Sequence, residues 1–170
     1  MADDIKAKAA PGLNLPKSSN TVEISIINTT TNLVAPAKSF VQPIIKGHET
    51  INMPTFSFII KHKGSGKTIL FDIGSRKDWW NFAPTVNSLI RAVIPGLNIA
   101  KGVDEILTEG GVNIQDVDGI VWSHWHWDHT GDPSKFPKKA ELIVGPGFKE
   151  KFMPGYPKNE ESPMLESDFE

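Results

Sequence analysis

Between Val22 and Ile27, valine and isoleucine alternate with glutamate and serine, the period-two pattern of a half-buried strand. Residues 28–54 hold Pro36, Pro43, Gly47 and Pro54 and read as loop-rich, with room for one short strand near Phe40–Ile45. Phe56–Lys61 and Lys67–Ile73 are apolar and rich in β formers. The stretch His62–Gly66 between them predicts a hairpin turn. Within Thr85–Ile94, Val86, Leu89, Ile90 and Val93 fall at helical spacing, and Pro95-Gly96 ends the run. Val103, Ile106 and Leu107 mark a second helix, stopped at Gly110-Gly111. Val117–Ser123 and Glu141–Val144 read as strands, the latter closed by Gly145-Pro146-Gly147. The chain is polar at both ends. Residues 1–20 predict a loose arm, and Lys151–Glu170, with Pro154, Pro157 and Pro163, a polar tail. Strands alternating with helices predict an α/β (α+β) domain over residues 21–170.

Composition narrows the class. A chain of 170 residues, 39% apolar and 22% charged, is long enough for one domain with a real core. Its formal net charge is −2 and no basic block stands out, so neither nucleic acid nor a membrane surface is an expected partner. With no cysteine, disulfides and thiolate-bound zinc are excluded. The N-terminus lacks the apolar core of a signal peptide and no apolar run is long enough for a membrane span, which predicts a cytoplasmic protein. Gly64-Ser65-Gly66-Lys67-Thr68 is not a phosphate-binding loop, because Lys61 stands where that motif needs glycine and strand follows where it needs helix.

The chemistry is concentrated in Ser123-His124-Trp125-His126-Trp127-Asp128-His129-Thr130-Gly131-Asp132. Three of the five histidines lie there within six positions. In extended backbone, side chains two apart share a face, so His124 and His126 can converge on one metal ion. Beyond the strand end the chain must curl, which frees Asp128 and His129 to reach a second. Imidazole and carboxylate are both zinc ligands. Trp125 and Trp127 alternate with the ligands and can pack beneath the loop. Gly131 permits the turn back.

His124-Trp125-His126-Trp127-Asp128-His129 resembles the His-x-His-x-Asp-His signature of the metallo-β-lactamase superfamily, and Ile69-Leu70-Phe71-Asp72-Ile73-Gly74 is similar to that family's early strand ending in Asp and Gly. The resemblance, covering roughly residues 20–150, implies the αββα sandwich and two zinc ions in a complete active site. It implies that His124 and His126 bind one ion and that Asp128 and His129 bind the other. Asp128 then counts as a catalytic as well as a ligating residue. Asp72 would orient the ligands without binding metal. A hydroxide bridging the ions would attack the substrate, with no side-chain nucleophile needed.

The family completes its sites with a further histidine, a bridging aspartate and a last histidine downstream. No histidine follows His129 in this sequence. His48 and His62 come earlier, in a loop and a hairpin turn, and are expected to face solvent. Asp132 is too near the motif for the bridging position, and Asp168 sits in the predicted polar tail. The expectation is therefore the N-terminal half of a longer enzyme, ending in an exposed polar loop, with the rest of the same protein needed to complete the site. A second copy of the chain, in a homo-oligomer, is the other candidate partner. The segment Phe71–Arg76 resembles the lactonase-like branch, which opens cyclic esters, with relatives that open cyclic amides. Trp79, Trp80 and Phe82 are candidate pocket residues for such a small-molecule ring. The alternatives are a glyoxalase-type thioester hydrolase and an inactive metal-binding half-domain that pairs with a partner chain. The 170 residues alone are expected to be inactive.

Overall fold

The computed structural model describes residue 12 and residues 16–170. Residues 1–11 and 13–15, most of the predicted arm, lie outside the described residues. The framework is one mixed six-stranded sheet in the order β4-β1-β2-β3-β5-β6. Its strands are β1 (Val22–Pro36), β2 (Thr50–His62), β3 (Thr68–Phe71), β4 (Gly96–Ile99), β5 (Gly119–Val121) and β6 (Glu141–Ile143). Among the described residues four α-helices accompany them: α1 (Pro84–Val93), α2 (Val103–Glu109), the single turn α3 (Trp127–Thr130) and α4 (Phe148–Phe152). The pairs β1–β2, β1–β4 and β2–β3 are antiparallel, whereas β3–β5 and β5–β6 are parallel.

The β2–β3 hairpin and helices α1 and α2 lie where the periodicity predicts them. Pro84 opens α1, a position where its missing N–H costs nothing. Val86 and Ile90 are buried, while Leu89 faces solvent. The loop-rich reading of residues 28–54 is corrected: β1 continues to Pro36, β2 starts at Thr50, and Phe40–Ile45 forms no strand. Burial does alternate through Ile27, Thr29, Thr31, Leu33 and Ala35, but small and polar residues carry it, so no apolar period shows. Thr29 and Thr55 share a hydrogen bond between their hydroxyls inside this layer, which satisfies polar groups that burial would otherwise penalise. β4, a four-residue edge strand that begins at Gly96 within the predicted Pro95-Gly96 stop, has no pattern long enough to read. β5 is also shorter than predicted and ends at Val121.

The predicted polar tail is the largest correction. Phe152 and Met164 are buried, and Phe169 sits edge-on to Trp122 with ring centroids 5.8 Å apart. The Tyr156 N–H donates to Met164 O (2.7 Å) and the Glu166 N–H to Tyr156 O (2.8 Å). The segment is packed rather than an exposed loop. Its apolar residues are too sparse and too interrupted by proline to show a period.

The helices cover one face of the sheet. Ile27, Ile59, Leu70 and Ile120 pack with Val103 and Leu107 in one core cluster, and Leu33 and Ala35 with Phe82, Val86 and Ile90 in another. The opposite face is apolar and open. Ile26 and Ile24 are 69% and 59% exposed. Cross-strand register puts Phe58, Phe71, Val121 and Ile143 on the same side as Ile26. Among the described residues nothing covers it.

Candidate metal centre

Parallel neighbours bring their carboxyl ends to the same edge of a sheet. Here β3 delivers Asp72 and β5 delivers Trp122-Ser123-His124 to adjoining loops. The Asp72 N–H donates to Val121 O (2.8 Å) and the Ile73 N–H to His129 O (2.9 Å), so the two loops are joined through their backbones. Asp72 has a positive φ of 56°. Gly131, at φ 51°, lies so close to Ile73 that an added Cβ would stand 2.5 Å from Ile73 O, which leaves room for glycine alone.

Asp72 is buried and accepts three hydrogen bonds: Ser123 N–H to Oδ1 (2.7 Å), Ser123 Oγ–H to Oδ2 (2.7 Å) and His129 Nδ1–H to Oδ2 (2.8 Å). Ser123 Oγ is also 2.9 Å from His124 Nδ1. A serine hydroxyl has one proton. With that proton on Asp72, His124 Nδ1 must donate to Ser123 Oγ. Both His124 and His129 therefore present Nε2 as the free lone pair, the form in which imidazole binds metal. Sequence reasoning missed Ser123 as part of the site; its position directly before His124 was the available signal.

Electrostatics keep Asp72 ionised as the acceptor of these bonds, whereas at His129 they favour the imidazolium, whose Nε2 proton a metal ion would have to displace. Burial pushes the Asp72 carboxyl up, but the His129 and Ser123 hydrogen bonds outweigh it and leave it below the ordinary carboxylate value. Burial also opposes the His129 imidazolium, yet the bond to Asp72 and the charges of Asp128 and Asp72 raise it above the ordinary histidine value. His124 is lowered, first by burial and then by His129 and His126.

The structure brings the four predicted ligands together. The His124 ring lies 4.6 Å from that of His126 and 4.2 Å from that of His129, and His129 Nε2 is 3.5 Å from Asp128 Oδ2. The route differs from the predicted one. His124 lies in a bend over residues 123–125 beyond the end of β5, and His126 returns to extended backbone before α3, so a bend rather than strand alternation brings their rings together. Among the described residues, no three His, Asp or Glu side chains are arranged to hold one ion. The donor chemistry fits zinc, but the described residues alone form no closed shell of the four donors that zinc takes.

Of the flanking aromatics, Trp125 packs on Phe152 (5.4 Å) and Trp127 on Phe82 (6.3 Å), so both support the loop from within. Phe82 is buried, Trp79 lies under the Arg91 guanidinium (5.1 Å) and Trp80 is largely exposed. His48 is exposed. His62 is half-buried and its Nδ1 accepts from the Ser65 N–H (3.0 Å). Asp132 pairs with Arg76 (3.4 Å). Asp168 is not in a solvated tail: burial, then the charge of Asp132, pushes its carboxyl up to about 7 against the pull of Arg76.

The fold is that of a known superfamily. The sequence profile of the metallo-beta-lactamase superfamily matches residues 51–167. The chain belongs to that superfamily. It is 39% identical over 165 residues to a protein named gamma-lactamase FDB1 from Fusarium pseudograminearum, covering 94% of this chain and 40% of that protein. A structure described as a probable metal-dependent hydrolase from Staphylococcus aureus superimposes with a TM-score of 0.59 at 16% identity, over 87% of this chain and 55% of the other. A quorum-quenching N-acyl homoserine lactone lactonase superimposes with a TM-score of 0.51 at 19% identity, over 69% and 43%. The chain thus spans well under two thirds of the length of the proteins it matches. No helix among the described residues is long and apolar enough to cross a membrane.

Proposed function

We propose that this chain is the N-terminal part of a dinuclear zinc hydrolase that opens a cyclic ester or cyclic amide. The reading rests above all on the Asp72 network, in which one carboxylate orients His129 directly and His124 through Ser123. Such orientation of ligand rings is what metal sites require of the groups behind them. The gamma-lactamase and lactonase names of similar proteins support the ring-opening class.

In this reading His124 and His126 hold one ion, and Asp128 and His129 the other. When bound, the zinc ions supply Lewis-acid polarisation and water activation near neutral pH. The protein's own share is orientation. Asp72 and Ser123 fix the histidine tautomers, Gly131 and Ile73 fix the loop's path, and Trp127 over Phe82 keeps its underside dry. The aromatic turn stands beside the motif, with the exposed Trp80 and half-buried Trp79 as the candidate wall for a substrate ring and the buried Phe82 as the packing behind them. The remaining ligands, and a second β layer over the open face of Ile24, Ile26 and Phe71, come from the rest of the complete protein.

The deciding experiment assays the complete, zinc-loaded enzyme on matched lactone, lactam and thioester substrates. Release of a hydroxy acid or amino acid from a ring is expected. Thiol release alone would assign the thioester class instead, and no turnover of any of the three would leave only a metal-binding half-domain.

A further inference from the structure

The loop leaving β3 has two parts. Asp72 and Ile73 hold the histidine loop. Arg76, three residues on, reaches a different set of groups. Its Nε donates to Asp78 Oδ1 (2.9 Å), and its Nη2 donates to Asp78 Oδ2 (3.3 Å) and to Asp132 Oδ2 (3.4 Å). The Arg76 side chain is only 10% exposed and that of Asp132 only 11%. The guanidinium also lies 5.5 Å from the centroid of the Phe82 ring, which in turn meets Trp127.

Each carboxylate it holds belongs to a different loop. Asp78 accepts from Asn81 Nδ2 (2.7 Å) and so closes the turn Trp79–Asn81. Asp132 accepts from the Ser134 N–H (3.2 Å) and closes the turn that follows the histidine motif. From the other side, Asn87 of α1 donates to Trp80 O (2.9 Å) and Phe82 O (2.8 Å). The aromatic turn is therefore bonded to α1 through Asn87, and to the histidine loop through Arg76 and the Phe82–Trp127 contact. The planar fork of arginine meets Asp78 with two bonds while its face lies over the Phe82 ring, whereas a lysine ammonium is a point charge without that fixed geometry.

We propose that Arg76 is a positioning residue that sets the aromatic turn against the histidine loop and thereby governs substrate binding. This rests on the proposed ring-opening function, with the turn as substrate wall. The histidine loop has its own supports in Asp72, Ile73 and Gly131, so loss of Arg76 leaves the metal ligands in place and loosens the wall.

The test uses the complete enzyme with Arg76→Met, Arg76→Lys and Asp78→Asn. Arg76→Met is expected to raise KM for the ring substrate about ten-fold, with kcat within about three-fold and zinc content unchanged. Arg76→Lys should recover part of the KM loss. Asp78→Asn, which leaves the Arg76–Asp132 pair intact, should raise KM less and serves if Arg76→Met does not fold. Amide exchange over residues 77–83 should quicken in each variant while residues 123–131 keep their protection. Unchanged KM with unchanged exchange at 77–83 overturns the proposal. So does loss of zinc with KM preserved, which would place Arg76 behind the ligands. If the wild-type enzyme opens no ring at all, the proposed function fails, and the exchange measurement still decides whether Arg76 ties the two loops.

Discussion

Ser123 Oγ and Asp72 Oδ2 are 2.7 Å apart although their residues lie 51 positions apart in the chain. That one bond sets the direction of the next: the Ser123 proton goes to Asp72, so His124 must give its Nδ1 proton to Ser123. Asp72→Ala removes the support of both His124 and His129 and should weaken zinc binding by about ten- to a hundred-fold, with the fold largely kept. Ser123→Ala frees His124 alone and should cost less. Competition titration with a zinc chelator on the complete enzyme measures both, and wild-type affinity in Asp72→Ala would leave the carboxylate as a strand-end cap.

His126→Ala should abolish hydrolysis by the complete enzyme and lower bound zinc together, because one lost donor opens the shell of its ion. Metal analysis alongside the rate provides the check. Full activity with undiminished zinc would remove His126 from the ligand set.

At Gly131 any side chain collides with Ile73 O, 2.5 Å from the position of an added Cβ. Gly131→Ala should therefore destabilise the complete protein by about 1–3 kcal/mol and lower its zinc occupancy, since the collision lies where the two site loops meet. Thermal denaturation and metal analysis read the two effects, and an unchanged melting temperature would show that the loop can shift without cost.

The fold was legible wherever one face of an element carried large apolar residues. Val86 and Ile90 in α1, Val103 and Leu107 in α2, and the β2–β3 hairpin announced themselves in this way. The second half of β1 did not, because Thr29, Thr31 and Ala35 are buried there and no hydropathy pattern marks a buried threonine. Met164 and Phe169 were hidden for a different reason: isolated apolar residues between prolines have no period, and only the tertiary fold shows that Trp122 receives Phe169. At the site, the spacing of His124, His126, Asp128 and His129 singled those residues out. The roles of Ser123 and Arg76 were not legible, because they depend on Asp72 and Asp132 in distant loops.

Asp168 adds a pH dependence. Its carboxyl is pushed up to about 7 in the folded chain, against about 3.9 when unfolded. The folded state thus favours the neutral acid. This contribution to stability is full below about pH 3.9 and is lost as pH rises through about 7. Asp168→Asn should flatten the fall in melting temperature of the complete enzyme across that window. Parallel curves for the two proteins would show that the group titrates normally.

Residues 1–170 expressed alone should hydrolyse nothing at a useful rate and should aggregate. The cause is the open face carrying Ile24 and Ile26, together with the edges of β4 and β6. Light scattering, zinc stoichiometry and a lactone assay test this. A soluble monomer that holds two tight zinc ions and turns over substrate would contradict it.

The path from β3 to β5 runs through residues 72–118 and carries the aromatic turn, α1, β4 and α2, while the two strands it connects stay locked side by side. Closing a longer connection costs little, about 0.6 kcal/mol for each doubling of length. Insertions in this crossover can therefore reshape whatever meets the substrate while Asp72 and Ser123 remain in register. The geometry of the sheet edge that holds Asp72 and Ser123 is thus uncoupled from the length of the crossover that joins its strands.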